Sequence, residues 1–490
     1  MNPKREVLPR VPRPFRHCRR WPPLALIALA CFSSLLSTAA DWPTYRCDNR
    51  RSGITPESIQ LPLIPAWTCA SPTPPQMAWT GPAKWDSYAN IRRLEAMRNF
   101  DPAFFVIAVN DSVFFGSSVD DAVHCLHAGT GEERWAFYTD APVRLPPSWH
   151  NGKVYFGSDD GYAYCVDAAQ GGLVWKRKPA ERETLLLNNG KLISQWPCRT
   201  GVLVQDETAY FGASLLPWEK SYLCALDVQT GADQGPGRYS VALEHLTMQG
   251  AILATANRLY LPQGRQRPEM FERANGHPIG GFGDSGQGGV FAVLTRTGEF
   301  VHGQGQNHGA EGELRGFDAN SRDYLVTFPK ATRIVVTEEV AYLDTPTELA
   351  GFARGRYLEL ARRRAQLQAR QKTIQEQLKK LGNQANSPEG EKLKEELKPI
   401  GNELDSMPAN MAACYLWKTK ADYPHDLILA GTTLFAGGDN RVAAFDTVDG
   451  KERWSARVTG RAHGLAVANG RLFVSTDRGV IHCFQVAAGR

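Results

Sequence analysis

The chain has 490 residues, 42% hydrophobic and 22% charged, with 45 glycines and 31 prolines: a turn-rich globular composition with room for one large domain or two to three ordinary ones. Its formal charge of +5 sits in the first 40 residues, where Lys4, Arg5, Arg10, Arg13, Arg16, Arg19 and Arg20 face only Glu6, so the remainder carries −1. That balance excludes a basic nucleic-acid-binding surface.

Residues 1–40 read as a secretory signal: a basic start, an apolar run from Leu24 to Leu36, then Thr38 and Ala40 at small-residue cleavage positions. The run is shorter than the ~20 residues a membrane span needs, so no transmembrane segment is expected. The mature chain is expected to start near Ala40 and to work in the periplasm or another extracytoplasmic space. Lipid attachment at Cys31 is the alternative, with Ala28 standing where such signals usually carry Leu. Eight cysteines follow, without a CxxC or an adjacent pair, so no metal site is expected. An oxidising compartment would permit pairs such as Cys47 with Cys69, which the sequence alone does not assign.

The body of the chain repeats. "VFFGSSVDDAVHCLHAGTGEERW" from Val113, "VYFGSDDGYAYCVDAAQGGLVW" from Val154, "TLFAGGDNRVAAFDTVDGKERW" from Thr433 and "RLFVSTDRGVIHCFQV" from Arg471 share one plan. Two strands of alternating apolar residues are joined by a Gly/Asp/Asn turn, and an Asp-to-Gly turn leads into a strand bearing Trp. Divergent copies begin near Thr208, Arg258, Glu299 and Val340. The eight second strands fall mostly ~40 to 50 residues apart, a period that suits propellers. A four-stranded sheet cannot bury both faces alone, so neighbours must stack. The expected fold is all-β: an eight-bladed β-propeller of four-stranded antiparallel blades. The last copy stops after its third strand, and the N-terminal "PAWTCA" supplies the missing one. Trp67 then occupies the place that Trp135, Trp175 and Trp454 hold elsewhere, and no sheet edge is left open.

Repeats of this "x-D-x-x-T-G-x-x-x-W" type, and the segment "DWPTYRCDNRRSG" (Asp41 to Gly53) with Cys47 where Gly is usual, resemble the pyrroloquinoline-quinone (PQQ)-like repeat superfamily. The resemblance covers residues 41–490 apart from one insertion. It implies secreted propellers of several kinds: PQQ-dependent dehydrogenases, an outer-membrane assembly lipoprotein, and proteins without an assigned role. The alcohol-oxidising members often carry a vicinal Cys-Cys ring against the cofactor, and this chain has none.

The insertion, residues 351–407, divides the propeller into 41–350, holding the closing strand and the first six blades, and 408–490, holding the last two. Leu360, Leu367, Ile374 and Leu381 lie seven apart; Leu393, Leu397, Ile400, Leu404 and Met407 follow a 4-3-4-3 spacing. This predicts an α-helical coiled-coil hairpin standing off the propeller, with Ser387 and Pro388 opening the second arm and Pro399 kinking it. The hairpin is a candidate surface for a protein partner.

"GFGDSG" (Gly281 to Gly286) matches GxGxxG, but the strand-like "QGGVFAVL" after it denies the helix a dinucleotide site requires. Cys125, Cys165 and Cys483 recur at one repeat position, read as a slot for a small buried residue. Just before the innermost strands stand Arg144, Arg199, Gln249, Arg333, His425 and His463. Equivalent positions converge on a propeller's axis, so these six form a candidate polar funnel for an anionic or glycan ligand, arginine's planar fork suiting carboxylate and phosphate. The expected function is a non-catalytic binding module or scaffold for a protein or anionic ligand, with no cofactor. The alternatives are a PQQ- and Ca²⁺-dependent dehydrogenase of alcohols or sugars, with catalytic residues unassigned, and an envelope assembly factor.

Overall fold

The computed structural model describes residues 40–79, 100–264, 266–284, 288–303, 313–384 and 386–487, with the backbone of Arg19 and Arg20. Of the expected signal segment, only Arg19, Arg20 and Ala40 are among these residues. Four-stranded antiparallel sheets succeed one another along the chain. The first is Val106–Val109, Ser112–Ser117, Ala122–His127 and Glu133–Tyr138; the second is Ser148–His150, Lys153–Gly157, Ala163–Asp167 and Leu173–Arg177. Four more begin at Leu203, Leu253, Phe291 and Arg333. The seventh and eighth sequence copies share one larger sheet, in which Leu63–Ala70 pairs antiparallel with Val480–Val486 and sets Trp67 opposite Cys483.

Each sheet buries both faces against its neighbours, which is why the second and third strands are apolar almost throughout. The repeated Trp locks one sheet to the next. Trp135 Nε1 donates to Ala168 O at 3.1 Å, Trp175 Nε1 to Val228 O at 3.0 Å and Trp67 Nε1 to Ala128 O at 2.9 Å. Each indole lies on the glycine that ends the neighbouring Asp-to-Gly turn. At Gly171 φ is +72°, and a Cβ would stand 2.7 Å from Trp135 Cδ2. Gly171→Ala is therefore expected to cost roughly 1–3 kcal/mol, from left-handed backbone and overpacking together. The urea midpoint reads it, and an unchanged midpoint would show that the indole has room to move.

The structure adds members to this set. Trp417 donates to Thr447 O at 2.9 Å and rests on Gly450. In the third sheet Tyr239 takes the place, donating to Arg273 O over Gly276. The residue opposite each Trp is small because the indole folds over it: Cys125 opposite Trp135, Cys165 opposite Trp175, Gly351 opposite Trp417, Ala444 opposite Trp454. No disulfide joins any of the described cysteines, so the Cys47–Cys69 pairing does not form.

The insertion lies inside the sixth sheet, between its third strand Glu348–Ala353 and its fourth, Tyr415–Lys420. Helix α1 (Arg354–Leu381) and helix α2 (Pro388–Ala412) run antiparallel, with Arg363 paired to Glu403 and Arg370 to Glu396. Ser387 Oγ caps α2 by accepting from Gly390 N at 3.3 Å. The helix runs on through Pro399 and Pro408, both of them exposed. The hairpin does not stand wholly clear of the sheets. Tyr357, Leu360 and Ala361 join the buried cluster of Leu325, Val326 and Phe328, and Arg354 binds Glu299 at 2.5 Å. The cause is that α1 follows the third strand without a linker, so that Tyr357, Leu360 and Ala361 in its first two turns meet the sheet. Among the described residues no helix is long and apolar enough to cross a membrane.

Candidate functional site

The segment Asp41 to Gly53 crosses the first strands of successive sheets. Trp42 N donates to Ala108 O at 2.7 Å, Trp149 N to Pro43 O at 2.7 Å, and Asn49 Nδ2 to Val204 O at 2.7 Å. Arg51 Nε donates to Ile252 O at 3.1 Å, Arg50 Nη1 to Thr295 O at 2.9 Å and Arg46 Nη2 to Leu427 O at 3.1 Å. Arg46, Arg50 and Arg51 thus satisfy carbonyls at or beside the ends of these strands. Cys47 has φ +76°, left-handed backbone that favours glycine, which explains why Gly is usual at this place.

Above this segment the six funnel residues fall into two groups. Arg144 and Arg199 share one carboxylate. Arg144 Nε donates to Asp159 Oδ2 at 2.6 Å and its Nη1 to Asp101 Oδ2 at 2.5 Å; Arg199 Nε and Nη2 donate to Asp159 Oδ1 and Oδ2 at 2.9 and 2.8 Å. All four side chains are buried. Burial pushes the Asp159 carboxyl up, but the charges and hydrogen bonds of both guanidiniums outweigh it and hold it below the usual range. At Asp101 burial wins over Arg144, and its carboxyl is raised. Trp79 closes this half, its Nε1 donating to Gln249 Oε1 at 2.8 Å and its ring lying 5.8 Å from the Arg199 guanidinium carbon.

The other half gathers Arg333, His425 and His463. The imidazoles lie with ring centroids 4.6 Å apart, and His425 Nε2 is 2.7 Å from Asp439 Oδ1. Arg333 Nε stands 3.8 Å from Asp426 Oδ1, which already receives Arg46 Nη1 at 2.6 Å, and both guanidiniums lie over Phe291. Burial, His425 and the charges of Arg333 and Arg461 drive His463 well below the ordinary imidazole range.

Sequence reasoning missed Asp159, Arg46 and Arg51. Asp159 carries its signal in "SDDG", where it reads as a turn residue; nothing local separates it from Asp160. Among the described residues no group of three or more His, Cys, Asp or Glu side chains is placed to hold a metal ion. Arg144 and Arg199, the arginines best suited to clamp a polycarboxylate, already hold carboxylates.

Comparisons agree with this architecture. No curated protein matches the chain. BamB from Moraxella catarrhalis superposes with TM-score 0.50 at 13% identity, over 86% of this chain and 100% of that one. Quinohemoprotein alcohol dehydrogenase from Comamonas testosteroni gives 0.55 at 12%, over 92% and 81%, and a europium-containing methanol dehydrogenase 0.51 at 11%, over 89% of each. At such identities the likeness is one of fold. The family model of outer membrane protein assembly factor BamB matches residues 79–278 and 415–490, more than half of the chain. On that match and on these repeated sheets, the protein belongs to the BamB family of PQQ-like repeat proteins.

Proposed function

We propose that the sheets form an eight-bladed ring, closed where Leu63–Ala70 pairs with Val480–Val486, and that the protein serves outside the cytoplasm as a non-catalytic scaffold docking a protein partner. An envelope assembly role is the form of this reading that the family suggests.

One observation carries it. A two-stranded sheet, Leu185–Asn188 with Lys191–Ser194, lies between the second and third sheets and pairs Leu187 with Leu192. Leu186 and Ile193 face the core. Leu185, Leu187 and Leu192 face outward, and Leu187 is 76% exposed. A surface hairpin ordinarily alternates apolar and polar residues; here both faces are apolar, with the exposed Trp218 on a loop packed beside them. Such a face suits an apolar ridge on another protein.

The test is photo-crosslinking from residue 187 of the mature protein in intact envelopes. One adduct of defined mass is expected, lost in Leu185→Asp with Leu192→Asp at an unchanged unfolding midpoint. No adduct, or an adduct indifferent to those changes, would overturn the docking role. Saturable, Ca²⁺-dependent quenching of tryptophan fluorescence by PQQ would replace it with the dehydrogenase reading.

A further inference from the structure

Two cavities open at the far ends of the first strands. Arg144, Arg199, Gln249 and Arg333 stand before or at the starts of these strands, whereas Gln205, Thr255, Arg296 and Thr337 stand at or just past their ends. The cavities therefore lie away from the funnel, on the side where the strands turn back. One, of about 480 Å³, is lined by Asp48, Asn49, Arg50, Gln205, Thr255 and Arg296. The other, of about 300 Å³, shares Asp48, Arg50 and Arg296 and adds an apolar wall of Ile54, Pro56, Leu294 and Val336.

The two arginines common to both cavities lack a carboxylate. Arg50 is half-buried; its Nη1 donates to Thr295 O at 2.9 Å, and it forms no ion pair among the described residues. Arg296 is exposed on the turn after Phe291–Leu294 and forms neither a hydrogen bond nor an ion pair among the described residues. Asp48 turns its carboxylate into its own loop. Its Oδ1 accepts from Arg50 N and Ser52 N, each at 3.0 Å, and its Oδ2 accepts from Ser52 Oγ at 2.7 Å. Glu338, the other acid at the smaller cavity, is exposed, and water screens it. In the core the pattern is different: Arg46, Arg144, Arg199 and Arg354 each hold a carboxylate.

We propose that Arg50 and Arg296 bind the carboxylate of a small ligand whose apolar body lies against Ile54, Pro56, Leu294 and Val336: an aryl or short-chain aliphatic carboxylate in class. A guanidinium offers parallel N–H donors that match a carboxylate, and a half-buried one without a counter-ion gains most from receiving it. The apolar wall supplies the second half of the recognition, since a small-molecule site combines an apolar lining with a few placed polar groups. The larger cavity contributes its arginines and little else, because the side-chain amides of Asn49 and Gln205 already donate to Val204 O and Thr255 O. The site shares no residue with the exposed hairpin and is independent of the docking role proposed above.

Calorimetric titration of the mature protein with 3-phenylpropionate and hexanoate tests it, with 3-phenylpropionamide and inorganic phosphate as comparisons. Saturable binding of the carboxylates is expected, at least tenfold tighter than that of the amide, which lacks the charge, or of phosphate, which lacks the apolar body. Added salt should weaken the carboxylates. Arg296→Gln is expected to weaken them at least tenfold at an unchanged urea midpoint, because that side chain holds nothing else in place. Val336→Thr, close in shape but polar, should weaken 3-phenylpropionate several-fold. Carboxylates that fail to saturate at millimolar concentration would overturn the proposal. So would an amide or a phosphate that binds as tightly as they do, or a titration that Arg296→Gln leaves unchanged.

Discussion

Asp159→Ala is expected to lose about 3–5 kcal/mol of stability, the cost of breaking a buried ion pair from one side. The upper end applies, because this carboxylate serves two guanidiniums. Without it, among the described residues, Arg199 keeps no carboxylate and Arg144 keeps Asp101 alone. A domain stable by ~5–15 kcal/mol would survive with little reserve. Equilibrium urea unfolding reads the loss, and Arg199→Met added to Asp159→Ala should recover more than half of it by removing the stranded charge. An Asp159→Ala midpoint equal to the parent's would mean that water reaches the guanidiniums, so that the network holds nothing together. The same carboxylate is not a source of sensitivity to mild acid. Its folded pKa lies below its unfolded one, so its contribution is present above the ordinary carboxylate range and is lost only as pH falls through the lower folded value.

Mild acid acts through histidine. His302 stands in the second-strand slot that Phe115, Phe156 and Phe211 fill in other copies, between the rings of Phe300 and Phe317, and neither of its nitrogens has a partner. Burial, assisted by Arg315, pulls it down to about 3; burial pulls His482 down to about 4, and His463 also lies well below its ordinary value. His482 Nε2 accepts from Thr459 N at 3.0 Å, a bond that only the neutral ring can make. With folded pKa values depressed, stability is complete above the unfolded value near 6.5 and declines as pH falls, because the unfolded chain takes up protons that the native state refuses. At pH 5 His302 and His482 each cost about 2 kcal/mol, and His463 acts in the same direction. His124 works in the opposite sense. Burial opposes its charge, but Asp120 and Glu133 prevail and raise its pKa, so its contribution is complete below the ordinary imidazole range and fades as pH rises through the folded value. The urea midpoint should therefore drop between pH 7 and pH 5, and His302→Phe should recover about 2 kcal/mol at pH 5 and far less at pH 8. An equal gain at both pH values would assign the effect to packing instead of protonation.

Much of the architecture was legible because each repeat states it again. Two-residue alternation marked the second strands at Val113, Val154 and Leu472, and an Asp-to-Gly turn followed by Trp marked where one sheet meets the next. Trp417 escaped because the inserted helices part it from its own repeat, and Tyr239 because a phenol does the work of an indole there. The seven-residue spacing of Leu360, Leu367 and Ile374 gave the helical pair, while the docking of Tyr357 on the sheet depended on a partner surface assembled from Leu325 to Phe328, which no local pattern announces.

The candidate funnel divides in the same way. The structure brings Arg144 and Arg199 together on Asp159, and stacks His425 on His463, as two separate groups. What each does there was decided by partners far away in the chain. Asp159 and Asp101 neutralise the first two, Arg46 reaches Asp426 across 380 residues, and Asp344 is left unmet beside Arg333. The sequence by itself determined the sheets, their order and the helical insertion, because these follow from periodicity along the chain. Only the tertiary structure decided which buried charges are balanced, because an ion pair needs two groups within a few ångströms, whatever their separation in sequence.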